Sequence, residues 1–141
     1  MALRNTCERH VGKLLEIRVD AGYRSPGDVD AMISMMQNAF ASLPAHDRII
    51  IAADWRRCSV LGTGTAERVN AMLTVANPRT LRSSILINSD SPTAVMQATR
   101  LVSEANFPER RVFTAAADQI AWLAEVATPK EVERLKVFLA H

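Results

Sequence analysis

The chain has 141 residues, of which 48% are hydrophobic and 23% are charged, as in an ordinary globular protein of one domain. This composition argues against disorder as the default state, and a chain of this length buries enough surface to fold without disulfide bonds. Seventeen basic and fifteen acidic residues leave a formal charge of +2. Because the two signs are interleaved along the chain, a concentrated basic face for nucleic acid is not expected.

The sequence also predicts the cellular compartment of the protein. The first ten residues lack the apolar run of a signal peptide, and no apolar stretch approaches the roughly 20 residues that span a bilayer. We therefore expect a cytoplasmic protein without a membrane span. Cys7 and Cys58 match no zinc-ligand spacing, so free thiols are expected in that compartment.

Hydrophobic patterning predicts the first elements. Residues 13–20 alternate apolar and charged side chains from Leu15 onward, which is typical of a strand with one covered face. Residues 6–11 are a candidate edge strand that pairs with it across Gly12. A Ser-Pro pair followed by aspartate begins a helix at residue 25, and its apolar stripe continues to residue 44. Residues 48–53 contain the continuous apolar run Ile-Ile-Ile-Ala-Ala, which indicates a strand covered on both faces.

The middle of the chain repeats this alternation of strand and helix. A Gly-Thr-Gly-Thr turn at 62–65 leads into a helix that ends at Asn77-Pro78. Residues 83–88, which include Ile85-Leu86-Ile87, predict a second buried strand. A second Ser-Pro pair at residue 91 begins a helix that stops before Pro108.

Three more elements follow. Residues 111–114 predict a short last strand, and residues 116–126 predict a helix with an apolar face. The sequence Thr128-Pro129-Lys130-Glu131 has the residues of a capping box. It begins a final helix that runs nearly to the end of the chain.

Alternating strands and helices predict one α/β domain over residues 1–141. We expect a mostly parallel sheet of four to five strands with helices on both faces, joined by right-handed crossovers. In such sheets, binding sites gather in the loops beyond the carboxyl ends of the strands. Those loops are expected at residues 20–25, 54–65, 88–91 and 114–117.

The loop at 54–65 has the richest chemistry, because it follows a buried strand and enters a helix whose amides favour an anion. Ser59, Thr63 and Thr65 are each candidates to cap that helix or to accept a phosphate, and capping alone is the simpler interpretation. Arg56 and Arg57 are candidates for an anion or nucleotide site. A P-loop is excluded because the chain has no lysine between Lys13 and Lys130.

Other residues of this loop allow two interpretations each. Trp55 is either an anchor for a partner or a cover for the edge of the core. Cys58 is either activated by the neighbouring arginines or, more simply, an inert buried thiol. The histidines and serines form no nucleophile, base and oxyanion arrangement and no metal-ligand spacing. We therefore expect no enzymatic activity, no metal and no cofactor.

Three segments carry a resemblance to a known family. They are the strand end Ile-Ile-Ala-Ala-Asp-Trp-Arg at 50–56, the segment from Asn77-Pro78-Arg79 to Ile87, and the run from Arg111-Val112-Phe113 to Trp122-Leu123. Together with the order of elements over residues 6–126, they are similar to STAS domains, the sulfate-transporter and anti-sigma-factor-antagonist family. The likeness is greatest to divergent single-domain bacterial members, and residues 128–141 look like an added C-terminal helix.

The resemblance implies a regulatory module that binds a protein partner, such as a regulator or a kinase. In antagonists a serine at the helix start after a central strand is phosphorylated, and an aspartate ends that strand. Asp54 matches the aspartate, whereas the family's Asp-Ser pair is replaced by Cys58-Ser59, so Ser59, Thr63 and Thr65 are all candidates.

The family's relation to SEC14-type domains implies the alternative of a small lipophilic ligand, for which Met32, Met36 or Met72 would line an apolar pocket. Self-association is a further expectation.

Overall fold

The computed structural model describes residues 3–140 and contains one five-stranded sheet. The strands lie in the order of the sequence: β1 (Asn5–Glu8), β2 (Leu14–Val19), β3 (Ile49–Asp54), β4 (Thr80–Leu86) and β5 (Arg110–Phe113). β1 is antiparallel to β2 and every other pair is parallel. The predicted α/β class and mostly parallel sheet are confirmed. Met1, Ala2 and His141, which belong to the predicted domain, lie outside the described residues.

Five α-helices cover the sheet: α1 (Pro26–Ala41), α2 (Thr63–Ala76), α3 (Pro92–Glu104), α4 (Ala116–Ala124) and α5 (Pro129–Leu139). The first three connect neighbouring parallel strands and pack on one face, as successive right-handed crossovers require. After β5 the chain returns across the opposite face, which α4 and α5 cover. Among residues 3–140, no helix combines the length and apolar content needed to cross a bilayer.

β3 lies at the centre of the core. All six of its residues are buried, as the continuous apolar run predicts. Ile49, Ile51 and Ala53 face α1–α3, whereas Ile50 and Ala52 face α4 and α5. Because β3 is covered on both sides, the end of this strand is a fixed platform for the loop that follows it.

β2 differs from the prediction of one covered face. Leu15, Ile17 and Val19 face α1–α3, but the side that carries Leu14, Glu16 and Arg18 is covered by α5. Arg134 of α5 binds the Glu16 carboxylate with two hydrogen bonds of 2.7 and 2.8 Å. The alternation of apolar and charged residues therefore marks two covered faces, one apolar and one where ion pairs lie beside Leu14.

The helix caps explain where α1 and α5 begin. The Ser25 side chain accepts from the Asp28 amide at 3.4 Å, and Thr128 and Glu131 form the predicted capping box at the start of α5. The Glu131 carboxylate also accepts from the Lys13 amide at 2.7 Å. At this contact Gly12 has a φ of +57°, and a Cβ there would collide with the Glu131 carboxylate.

Candidate functional site

Polar side chains from three loops meet at the carboxyl edge of the sheet. They line an open pocket of about 520 Å³, called here the carboxyl-edge pocket, formed by Arg18, Asp20, Asp54, Arg56, Arg57 and Asn88. These residues come from the ends of β2, β3 and β4 or from the loops that follow them. Three of the four loops expected to gather here therefore contribute to one site.

Asp54 is the buried centre of the pocket, with an exposed fraction of 3%. Arg56 binds its carboxylate with two side-chain hydrogen bonds of 2.9 Å, and Arg18 adds a third at 2.8 Å. Burial alone would raise the pKa of Asp54, but the hydrogen bonds and charge of Arg56 and the charge of Arg18 outweigh it and lower this pKa. Asp54 is therefore an ionised carboxylate whose charge is neutralised within the fold.

The two arginines also hold the C-terminal end of α5. Arg18 Nη2 donates to the Phe138 carbonyl oxygen at 2.6 Å, and its guanidinium lies 4.4 Å from the centre of the Phe138 ring. Arg56 Nη2 makes a longer contact of 3.5 Å with the Leu139 carbonyl oxygen. Cations stabilise the carbonyl end of a helix. These contacts therefore join the end of α5 to the carboxyl-edge pocket.

Sequence reasoning missed Arg18 as a site residue. The signal available was its position on the same strand face as Glu16, close to the strand end. That position does not reveal that a helix from the end of the chain packs over it. Arg56, which was considered for an anion site, instead binds Asp54.

Trp55 and Cys58 belong to the core. Trp55 is 3% exposed and packs edge-on against Tyr23, with ring centres 5.8 Å apart. It therefore covers the edge of the core and is not an anchor for a partner. Burial raises the pKa of the Cys58 thiol, which disfavours the reactive thiolate.

The surface of this loop is formed by Arg57, Ser59, Val60, Gly62, Thr63 and Gly64, which are all exposed. We call it the α2 entry surface. Gly62 is the N-cap of α2, and the described residues supply no side-chain hydrogen bond to this cap. The prediction that Ser59, Thr63 or Thr65 caps the helix is therefore wrong. Thr65 is also buried, which leaves Ser59 and Thr63 as the exposed candidates.

A side chain of α3 fixes the position of this surface. The Gln97 amide oxygen accepts from the Leu61 N–H at 2.8 Å, and its nitrogen donates to the Leu61 carbonyl at 2.9 Å. Leu61 is buried beneath the loop. The α2 entry surface is therefore anchored at its middle, although its own side chains point to solvent.

The methionines considered for a ligand pocket are part of the core. Met32, Met36 and Met72 are all buried. The internal cavity that Met36 and Met72 line has a volume of about 20 Å³, which holds about one water molecule. A lipophilic ligand would therefore need these side chains to move.

Comparison with protein-family models gives no match, and searches of curated proteins and of solved structures give none either. The resemblance to STAS domains therefore stays a prediction. The structure agrees with it at the level of the α/β fold.

Proposed function

We propose that the protein is a non-enzymatic regulatory module that binds a protein partner through the α2 entry surface, as anti-sigma-factor antagonists do. The observation that carries the proposal is a set of exposed side chains on a loop that Gln97 anchors. A rigid loop loses less conformational entropy on binding than a mobile one. Ser59 and Thr63 supply hydrogen-bonding groups on this surface, and Val60, 48% exposed, supplies apolar area.

Phosphorylation of Ser59 or Thr63 would control this binding. Thr63 is the first residue of α2, where free amides and the helix dipole favour a negative charge. Asp54 would repel this phosphate only weakly, because Arg18 and Arg56 neutralise the Asp54 carboxylate. A phosphate would therefore change the charge of the surface while the fold stays intact.

The free cysteines and the exposed apolar side chains of the protein are compatible with this role. Cys7 and Cys58 are free thiols in the structure, and the proposal places the protein in the cytoplasm, where thiols stay reduced. The partner is a regulator or a kinase, with no nucleic acid involved. Exposed Val75 and Met96 offer apolar area for self-association.

Binding of a partner by wild-type protein, Ser59→Glu and Thr63→Glu tests the proposal. Each protein is used as bait in an extract of the cells that encode it, and the recovered partners are quantified by mass spectrometry. We expect at least one partner whose recovery falls about tenfold or more with a glutamate at either position. Thr99→Glu, on an exposed turn of α3, is the matched control and should recover that partner normally.

Circular dichroism confirms that the variants fold. A partner set that is the same for wild type, Ser59→Glu and Thr63→Glu would refute the α2 entry surface as the contact. Equal loss with Thr99→Glu would refute it as well, because the effect would then not depend on the position of the charge.

A further inference from the structure

Arg110, the first residue of β5, is a buried cation with neutral partners. It is 3% exposed. Its Nη1 donates to the Asn77 side-chain oxygen at 2.7 Å and its Nη2 to the Leu73 carbonyl at 3.3 Å. Within residues 3–140, its Nε has no hydrogen-bond partner, and none of the ion pairs includes it. Burial lowers the pKa of Arg110 to about 10, so the group is still charged at neutral pH.

A charge buried in this way needs a counter-charge. An unpaired guanidinium loses the solvation that water would provide, and a nearby anion restores part of it. The carboxylate-bound arginines of the carboxyl-edge pocket have this compensation. Arg110 begins β5 in register with Ser83, in the middle of β4, and does not pair with the Asp54 carboxylate, so it is free to compensate a charge from elsewhere.

Arg110 lines the internal cavity of about 20 Å³, called here the inner cavity. The rest of its wall is mainly apolar and comes from the sheet, α1 and α2, including Ile17, Ile51, Met36 and Met72. A cavity with apolar walls and a single free cationic donor matches a ligand with an apolar body and one negative group.

A larger groove lies outside this cavity, between α1 and α2. This outer groove has a volume of about 380 Å³ and is lined by apolar residues such as Ile33, Phe40 and Val75, together with the polar residues Gln37, Arg68 and Arg79. It shares Met36, Met72 and Ala76 with the inner cavity, and these residues form the wall between the two spaces. Methionine side chains adapt to varied shapes, so rotation of Met36 and Met72 would join them.

We propose that the inner cavity and the outer groove together bind an unbranched apolar monocarboxylate of the fatty-acid class. Its carboxylate pairs with Arg110, and its chain passes between Met36 and Met72 into the outer groove. A monocarboxylate fits better than phosphate, because its two oxygens match two donors of the cavity lining that have no partner in the described chain, the Arg110 Nε–H and the Tyr23 hydroxyl, whereas a phosphate dianion needs more donors. The proposal is independent of the α2 entry surface, which lies beside the other end of α2.

Titration calorimetry with a series of soluble probes tests this site. Hexanoate, octanoate and decanoate are compared, with 1-octanol as the uncharged match of octanoate. Each added methylene should tighten binding about threefold to fourfold, and octanol should bind at least about tenfold more weakly than octanoate. The absence of octanoate binding, or equal binding of octanol, would overturn the proposal.

Three variants assign the roles of the residues. Arg110→Met keeps the side-chain volume and should abolish the preference for octanoate over octanol. Arg100→Met is its control: Arg100 is exposed on α3 and pairs with Glu104, outside both spaces, so its replacement should leave the preference intact. Met72→Trp should weaken octanoate and octanol alike by obstructing the passage between the two spaces.

Unfolding in urea establishes that each variant is folded before binding is measured. If Arg110→Met does not fold, the comparison of octanoate with octanol on wild type and the effect of Met72→Trp still decide the case. Retention of the octanoate preference in folded Arg110→Met, or its loss in Arg100→Met, would place the carboxylate elsewhere and contradict the assignment.

Discussion

The Asp54 carboxylate, buried between two guanidinium groups, links the stability of the protein to pH. Its pKa is lower in the folded chain than the value of about 3.9 for an unfolded aspartate. Above about pH 4 its ionised form therefore adds to the free energy of unfolding. This contribution is lost as the pH falls through the lower, folded-state pKa.

Asp54→Asn is expected to lower the free energy of unfolding by about 3 kcal/mol at pH 7, because it leaves Arg18 and Arg56 without their shared anion. It should also weaken the dependence of stability on pH below about 4. Urea unfolding at pH 7 and at acidic pH measures both effects. Asp90→Asn, at an exposed loop position, should change stability by less than about 0.5 kcal/mol.

For single residues, the sequence predicted their place in the fold better than it predicted the contacts and exposure of their side chains. Asp54 was correctly placed at the end of a buried strand, because the apolar run before it is unmistakable. The burial of Trp55 could not be decided, because it depends on Tyr23 from a different loop. Thr65 lies inside the first turn of α2 rather than at its cap, and that shift of a few residues decides whether its side chain meets solvent.

Among the elements, the loop before α2 owes its position to α3. Gln97→Ala would remove both hydrogen bonds to the buried backbone of Leu61. We expect a loss of about 1–3 kcal/mol in stability and faster proteolytic cleavage between residues 56 and 62. Limited proteolysis with mass spectrometry reads the cleavage site, and Thr99→Ala, an exposed position one-half turn away on α3, should behave as wild type.

The β1–β2 turn and the start of α5 depend on a single glycine. Gly12→Ala should destabilise the protein by about 1–3 kcal/mol, because of the positive φ and the collision with the Glu131 carboxylate. Gly64→Ala is the matched control: it has open space for a Cβ and lies in the first turn of α2, so stability should be unchanged or rise by up to about 1 kcal/mol. Opposite signs in thermal unfolding would confirm the argument; equal effects would contradict it.

Elements with local signals were predicted closely. The caps at Ser25 and Thr128 begin helices where expected, because the hydrogen bonds involved join residues three apart. The cap of α2 was predicted wrongly, since three hydroxyl residues compete in the sequence and the chain uses Gly62 instead. At an N-cap, glycine stabilises a helix almost as well as serine or threonine does, so the preferences of these residues do not identify the cap.

At the scale of the whole molecule, α5 completes the second face of the sheet. Its Leu135, Phe138 and Leu139 pack with Leu14 of β2 and Ile50 of β3. The hydrogen bond from Arg134 to Glu16 joins it to β2 across 118 residues of sequence. Although residues 128–141 look like an extension in the sequence, α5 supplies part of the core.

Phe138→Ala is therefore expected to lower the free energy of unfolding by about 3–5 kcal/mol, through the cavity it leaves and the lost contact with Arg18. Val137→Ala is the neighbouring control. Val137 is 55% exposed, so its change should stay within about 0.5 kcal/mol. Chemical denaturation of both variants measures the difference, and similar values for the two would contradict a structural role for α5.

The α/β class and the sheet direction were predictable because each crossover connects neighbours in sequence. The covered polar face of β2 was not predictable, because Glu16 and Arg18 have the pattern of a solvated strand face. Their burial depends on Arg134 and on the backbone carbonyls of α5. Ion pairs between the ends of a chain leave no local periodicity to detect.

The order of the strands has a consequence for synthesis on the ribosome. Each of β3, β4 and β5 can join the edge of a sheet already built by the residues before it, so α1–α3 can dock while translation continues. The face completed by α5 has to wait until residues 129–139 emerge. Until then the nascent chain presents Leu14 and Ile50 to chaperones, and a premature stop codon before α5 would leave that apolar face open to aggregation.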